Sequence, residues 1–552
     1  WRIIPALRLQ GRFSYTRQFD RRDLFKSPES LDYSTETDPK KKGSYYLVNS
    51  RSDRFDGNLT LAYNKTIDKH MLNVGVGSNI MQSETEGESF TGVGFINPDM
   101  IFIGAANAFQ ENTSPQGTYD KSRLVGFFTN VNYGYGNRYF LDFSFRSDGS
   151  SKFGRNSRFA PFWSLGVAWN VHNESFWHAH EKNALKLRAS VGSTGTTNFS
   201  STQALTTYLY DFSREYNGNF GVSLAGYGNS SLKWQTTLSY NVGVDFTFLH
   251  GLVVFNGDFY IKNTRSLLLP VTVAPSTGFI DYVENIGKLR NTGVEARLRF
   301  NLIQDAVKDL RWNVTLSAFH NRSKITQLSN QLETINQYAN DDRANQGTVV
   351  YRQFEAGRSQ TALMVVRSGG IDPATGNEIY IKRNGEMTFE YNHNDKIECG
   401  DMKPKIEGNV NTNLNWKGFN LYMLFKYQYG GKIYNATLAS KVEGVNPLKN
   451  ADKRVLYDRW KEPGDHAKFR RIDDTSAPYQ TTRLVFDNNL LALQSVSLSY
   501  ELPRKISQKM YMERVKLLLS STDLFRLSSV KQERGTSYPF ARTFSIGLNV
   551  TF

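Results

Sequence analysis

The side chains able to do chemistry are few and far apart. Cys399 is the sole cysteine among 552 residues, which excludes an intrachain disulfide framework and a cysteine-rich zinc module; it reads as a lone thiol in a loop. Of the eight histidines only His178 and His180 stand close together. His320 and His393 fall in or near long polar stretches, but nothing in the sequence marks a partner for either. His-Glu-x-x-His, the Gly-x-x-x-x-Gly-Lys phosphate loop and the EF-hand spacing do not occur, so metal and phosphate chemistry have no foothold. The sequence therefore leads us to expect neither a catalytic residue, a metal site nor a cofactor. The net charge of +15 raises nucleic acid as a partner. The basic residues are spread along the chain, however, and the densest run, Asp38 to Gly43 (DPKKKG), reads as a solvated loop. No nucleic acid is expected, and a positive surface equally suits an anionic lipopolysaccharide layer.

The elements that would carry these residues are strands. Mean hydropathy is −0.49, yet aromatics reach 13%. Such a polar average with many rings fits apolar residues confined to one face of many strands. QTTLSYNVGVDFTF sets Leu238, Tyr240, Val242, Val244, Phe246 and Phe248 on one face, against Thr237, Ser239, Asn241, Asp245 and Thr247. FNLYMLFKY and the closing ARTFSIGLNVTF repeat the pattern, and about fifteen segments share this two-residue period. No apolar run exceeds about five residues, whereas a spanning helix needs ~20.

The connections sort into two lengths. Short turns are expected at Asn64–His70, Gly134–Tyr139, Phe248–Leu252 and Asn415–Asn420, and long polar stretches at roughly 83–122, 194–234, 263–292, 321–406, 430–488 and 523–541. Tyr139, Phe140, Phe246, Phe248, Trp416 and Phe419 gather beside the short turns, as rings at a membrane boundary do. A propeller or tandem sandwiches would not sort its loops this way, and a propeller would repeat every ~40 residues. The expected fold is all-β, a transmembrane antiparallel β-barrel occupying 1–552 as one domain with long extracellular loops. In lipid every backbone group needs an internal partner, so the last strand of such a barrel pairs with the first and stays ordered to its end. Phe552 closes the final strand and is the expected membrane-assembly signal.

Several blocks carry a resemblance. Tyr139 to Val171 (YFLDFSFRSDGSSKFGRNSRFAPFWSLGVAWNV) places Arg146, Asp148, Gly149, Ser150, Ser151, Phe153 and Gly154 in the order found in SusC/RagA-type TonB-dependent transporters. LKLRASVGSTGTTNF, LKWQTTLSYNVGVDF, NIGKLRNTGVEARL, GIDPATGNEIY, GDMKPKIEGNVNTNLNWKGFNLYMLFKYQYGGKIYN and RWKEPGD follow in the same order. The residues themselves read as barrel geometry: Arg146 and Asp148 as a pair, Gly192 and Gly195 as a bend, Asp372-Pro373 and Thr375-Gly376 as a turn. The resemblance implies active import of nutrient oligomers, oligosaccharides or peptides, across an outer membrane. It implies a SusD-like surface lipoprotein as lid, the TonB-ExbB-ExbD complex as energy source, and the barrel-assembly machinery as the reader of Phe552. It also implies a 22-stranded barrel with a plug and first strands that are not recognisable here, so the chain is expected to be the C-terminal part and its sheet open.

Tyr208, Tyr210, Tyr216, Tyr227 and Trp234 lie on the expected loops, where rings stack on sugars or on a lid, or simply pack. A passive porin or barrel adhesin shares the strand pattern but not the collinear blocks. Deleting Phe552 is expected to lower the amount of barrel in the outer membrane while leaving uptake per folded molecule near normal. Quantitative blotting of membrane fractions beside a transport assay checks this, and unchanged abundance would remove the assembly role.

Overall fold

The computed structural model describes the chain except residues 112, 114, 155–156, 180, 198–202, 273–280, 286, 329–354, 446–450, 475, 477 and 532–540. At 209–216, 220, 225, 269–272 and 281–282 it describes the backbone alone.

Among the described residues one antiparallel sheet of 18 strands runs the length of the chain. Apart from Arg2–Ile4 and the two-residue Ala108–Phe109, its strands are Leu7–Lys26, Ser44–Ile67, His70–Val93, Gln116–Tyr135, Tyr139–Ser150, Phe159–Asn170, Ala184–Thr196, Gln235–Phe248, Val253–Arg265, Lys288–Asp305, Leu310–Gln327, Ile406–Trp416, Phe419–Tyr434, Val485–Glu501, Arg514–Ser528 and Phe544–Thr551. Each long strand pairs with the next long strand in sequence, a continuous meander. At one end most turns are tight, the longer exceptions being 171–183 and 502–513. Asp68, Asn137 and Lys417 take positive φ, the last followed by Gly418 at φ 87°, a backbone twist that matches the twist of the strands it joins. At the other end the chain makes its long excursions, including 197–234, 266–287, 328–405 and 435–484.

Register turns the alternation into horizontal rows. On the outer face Tyr63, Val74, Val131, Phe143 and Leu165 align. Above them come Leu61, Val76, Thr129, Phe145 and Trp163, and two rows higher Phe13, Gly57, Ile80 and Val125. These apolar side chains stand exposed, Phe13 at 67% and Ile80 at 54%. From Leu72 to Ile80 the apolar rows cover about nine residues, the length a tilted strand needs to cross hydrocarbon. Below them rings pair near the tight turns, Phe246 on Phe248 at 4.9 Å and Phe419 on Tyr500 at 4.3 Å. Above them the face changes abruptly to Arg17, Asp53, Glu84 and Lys121 in one row. The strands therefore continue well past the membrane. Residues 83–93 and 116–122, read as loop from their polarity, are strand.

The two edges of the sheet do not meet within this chain. Among the described residues Phe544–Thr551 pairs on one side, with Arg514–Ser528, and the outer edge of Leu7–Lys26 carries only Arg2–Ile4. Among the described residues the pairing of last strand with first that a closed barrel demands is therefore absent.

Glycine positions let inward side chains lie flat on the wall. Gly243 stands between Arg188 and Asp258 in register. A Cβ there would meet Asp258 Oδ1 at 2.6 Å and Arg188 Cζ at 2.8 Å. Gly126 repeats the device beneath Arg146, Asp148 and Asn79, each of which a Cβ would meet at 2.6 Å or less. Replacing Gly243 with Val is expected to cost about 1–3 kcal/mol through overpacking. The temperature at which the heat-dependent gel shift appears should fall, while Gly75→Ala, which has open space around it, should leave that temperature unchanged.

Candidate substrate passage and loop platform

The inner face of the sheet is a wall of paired polar groups. Arg188 donates to Asp245 at 2.8 and 3.0 Å and to Asp258 at 3.1 and 3.2 Å. Asn256 donates to Asp245 Oδ1 at 2.8 Å and Asn241 to Asp258 Oδ1 at 2.9 Å. Glu295 and Arg297 continue the same rows by register. Higher up, Arg146 binds Asp148 at 2.5 and 2.6 Å and Asn79 at 2.7 Å, so the pair read from the sequence forms. Near the tight turns Asn413, Asn415 and Asn420 bond one another at 2.6–3.0 Å. Such a wall is polar, with amides, carboxylates and guanidinium edges held at fixed positions.

Two loops fold together into a platform with its own core. Leu363, Val365, Tyr434, Ala439 and Leu484 pack as one cluster, and Val442, Val455 and Phe469 as another. Between them lies an ionic network assembled from positions far apart in sequence. Arg483 bonds Glu378 at 2.8 Å and Glu443 at 3.0 Å, and Arg470 bonds Glu443 at 2.8 Å and Asp474 at 2.6 Å. Glu443 is 1% exposed and Arg470 4%. Arg459, also buried, donates to the carbonyl oxygens of Val442, Glu443 and Arg470. Burial works against the Arg483 cation, but the carboxylates of Glu378 and Glu443 outweigh it and hold its pKa above the ordinary guanidinium value. For Arg459 burial prevails and its pKa is lowered.

The same platform explains two of the sequence blocks. The Asp372 carboxylate accepts the Thr375 hydroxyl at 2.6 Å and the Thr375 amide at 3.1 Å, closing the DPATG turn. Gly376, at φ 73°, lies under the Trp460 ring, whose Nε1 donates to the Pro373 carbonyl at 2.9 Å. Thus GIDPATGNEIY and RWKEPGD, some ninety residues apart, are two halves of one joint.

The residues singled out from the sequence scatter. Tyr208 and Tyr227 are exposed at the same end of a hairpin, Thr207–Tyr216 with Asn219–Gly226. Tyr210 and Tyr216 lie on that hairpin, and their side chains fall outside the described residues. Trp234 is buried: its ring stacks 4.6 Å from Phe153, and its Nε1 donates to the Arg158 carbonyl at 3.0 Å. It shares a core with Phe162 and Leu232 and offers no face to a solute. Phe552 is 87% exposed just beyond the last strand. Cys399 packs against the platform core, its Sγ donating to the Leu363 carbonyl at 3.3 Å, and burial pushes its thiol pKa up. His178 Nδ1 lies 2.7 Å from the Phe176 carbonyl, and His320 Nδ1 2.5 Å from that of Lys405. His393 opens the short helix His393–Asp395, and His180 is outside the described residues. Among the described residues no cluster of His, Cys, Asp and Glu is arranged to hold a metal.

Comparison with known proteins gives a consistent picture. The family model described as TonB dependent receptor-like, beta-barrel matches residues 1–362. TonB-dependent receptor P3 of Formosa agariphila is 26% identical over 536 residues, covering 89% of this chain and 52% of that protein. TonB-dependent receptor SusC of Bacteroides thetaiotaomicron is 27% identical over 333 residues, 58% of this chain and 32% of that protein. Among solved structures, the RagAB peptide transporter superimposes with a TM-score of 0.84 at 21% identity, over 100% of this chain and 60% of that one. The chain spans about half the length of Formosa receptor P3, and its matched part a third of that of SusC.

Substituting Glu443 with Gln leaves Arg470 and Arg483 buried with one carboxylate fewer, a change expected to cost about 3–5 kcal/mol locally. Limited proteolysis should cut within 435–484 at least tenfold faster, while the heat-dependent gel shift of the barrel stays at its wild-type temperature.

Proposed function

The chain belongs to the TonB-dependent receptor-like β-barrel family, and on that premise we propose that it forms the wall of an energised importer of polar oligomers. It is an outer-membrane β-barrel of SusC/RagA type. The proposed cargo is oligosaccharide. The inner wall supports this reading best, because Arg188, Asp245, Asp258 and the asparagines around them bond hydroxyl-rich solutes without presenting an unpaired charge. Peptide is the second reading, favoured by the match of the whole chain to a solved peptide transporter.

The proposal has further parts. Residues 1–552 act as one barrel domain with extracellular loops, and the plug that fills the lumen comes from elsewhere in the protein. Without it the lumen of the 22-stranded barrel that the resemblance implies would be too large for side chains to fill. A SusD-like surface lipoprotein rests on the loops as a lid, with Tyr208 and Tyr227, and Tyr210 and Tyr216 of the same hairpin, in contact with lid or cargo. Trp234, being packed within the fold, is left out of that set. TonB, ExbB and ExbD supply the energy, and the barrel-assembly machinery reads the end of the final strand at Phe552.

Uptake of labelled oligosaccharides by cells carrying the full-length protein tests this. Removal of TonB is expected to abolish uptake at least tenfold, and an affinity tag on the protein should recover a lipoprotein in equal amount. Uptake that continues unchanged without TonB would replace the importer with a passive pore.

A further inference from the structure

We propose that the outer face of the wall carries a binding site for a phosphorylated glycolipid of the outer leaflet, at the level where the strands leave the hydrocarbon. This goes beyond the transport reading and rests only on the location in the outer membrane.

The site begins as a defect in an apolar row. Phe13, Gly57, Ile80, Val125, Gly149 and Phe159 are neighbours across successive strands. The two glycines leave a hollow in a surface otherwise built of large side chains, and the Phe159 ring folds over Gly149, where a Cβ would meet it at 2.6 Å. A cavity of about 820 Å³ opens there, floored by Ile80, Val125 and Phe159 and headed by Tyr15, Arg123 and Arg158, with the ion-paired Asp53 also in its lining. Its floor is continuous with the rows that face lipid tails. Its head lies one row higher, where the apolar pattern stops.

The head is cationic and fixed. Arg123 is pinned three ways: its amide donates to Ser151 Oγ at 2.9 Å, its carbonyl accepts the Ser151 amide at 2.9 Å, and its Nε donates to Gln82 at 2.9 Å. The carboxylates in the cavity's head and in the rows above it are already neutralised. Asp53 accepts Arg17 at 2.6 Å, Tyr15 at 2.7 Å and Arg51 at 3.1 Å. Glu84 accepts Lys121 at 2.8 Å and Tyr119 at 2.9 Å, and Glu86 accepts Arg51 at 3.1 Å. With the acids satisfied, the exposed guanidinium groups of Arg123 and Arg158 set the local sign. A guanidinium fork suits a phosphate bound in two places, and the apolar floor below it suits acyl chains. The occupant must be anionic at one end and apolar at the other, which a free phosphate is not. A soluble protein would have to push into lipid to reach the floor.

The test uses the full-length protein extracted from its own outer membrane in mild detergent, with bound lipid counted by native mass spectrometry. The wild type should keep phosphorylated glycolipid, and the Arg123→Ala, Arg158→Ala double variant should keep at least fivefold less. The double Lys variant should hold an intermediate amount. Arg504→Ala, at the opposite rim, should match the wild type. The heat-dependent gel shift confirms that each variant is folded. Rebinding of delipidated protein adds two arms: glycolipid stripped of its phosphates should fail to bind, and inorganic phosphate in excess should not compete as intact glycolipid does. Equal retention by the double variant overturns the site, as does an equal loss in Arg504→Ala. Binding of the dephosphorylated lipid overturns the role of the cations, and full competition by inorganic phosphate overturns the lipid.

Discussion

Lipid offers a backbone amide no partner, and an unmade bond there costs roughly 2–7 kcal/mol. The antiparallel ladder is the response to that constraint, and the rest of the structure is a consequence of it. Once Tyr240 is set beside Ile261 and Val191, every other residue of three strands faces out and the remainder face in. A slip of one residue would put Arg188 in hydrocarbon and Val242 in water. The outer rows and the inner ion pairs are therefore two views of one register.

Inside, the wall handles charge by arranging neighbours rather than by excluding it. Arg188 is held by both oxygens of two aspartates, each of which also accepts an asparagine amide on its Oδ1, and glycine removes the one Cβ that would stand in the way. The platform uses the same logic with less water. There the arginines are nearly sealed, and removing any one carboxylate leaves a buried arginine with a single acidic partner.

The strands were legible because lipid imposes a two-residue period that nothing else in the chain mimics. Legibility ended where the lipid ends. Glu84, Glu86, Glu88 and Lys121 are strand residues, but above the hydrocarbon the outer face turns polar and the period disappears from hydropathy. Of the excursion between Lys26 and Ser44 only Asp38 to Gly43 is legible as a loop, since the rest is short and bears few marks. Arg146 and Asp148 were recognisable as a pair because they lie two apart on one face. Glu378, Glu443, Arg470 and Arg483 were not, for their partners are up to 105 residues away and only folding brings them together. Trp234 looked like a loop aromatic because its neighbours in sequence are polar, although its neighbours in space, Phe153 and Phe162, are not.

The platform built on the described residues of 362–405 and 435–484 has a consequence for how anything lands on it. Loops of such length would ordinarily surrender much conformational freedom when a partner immobilises them. Here the salt-bridged core around Glu443 and the Trp460–Gly376 joint have ordered the surface beforehand. A partner meets something closer to a cast than to a net. Its arrival is a matter of collision and orientation, and differences among its variants will show in how long it stays.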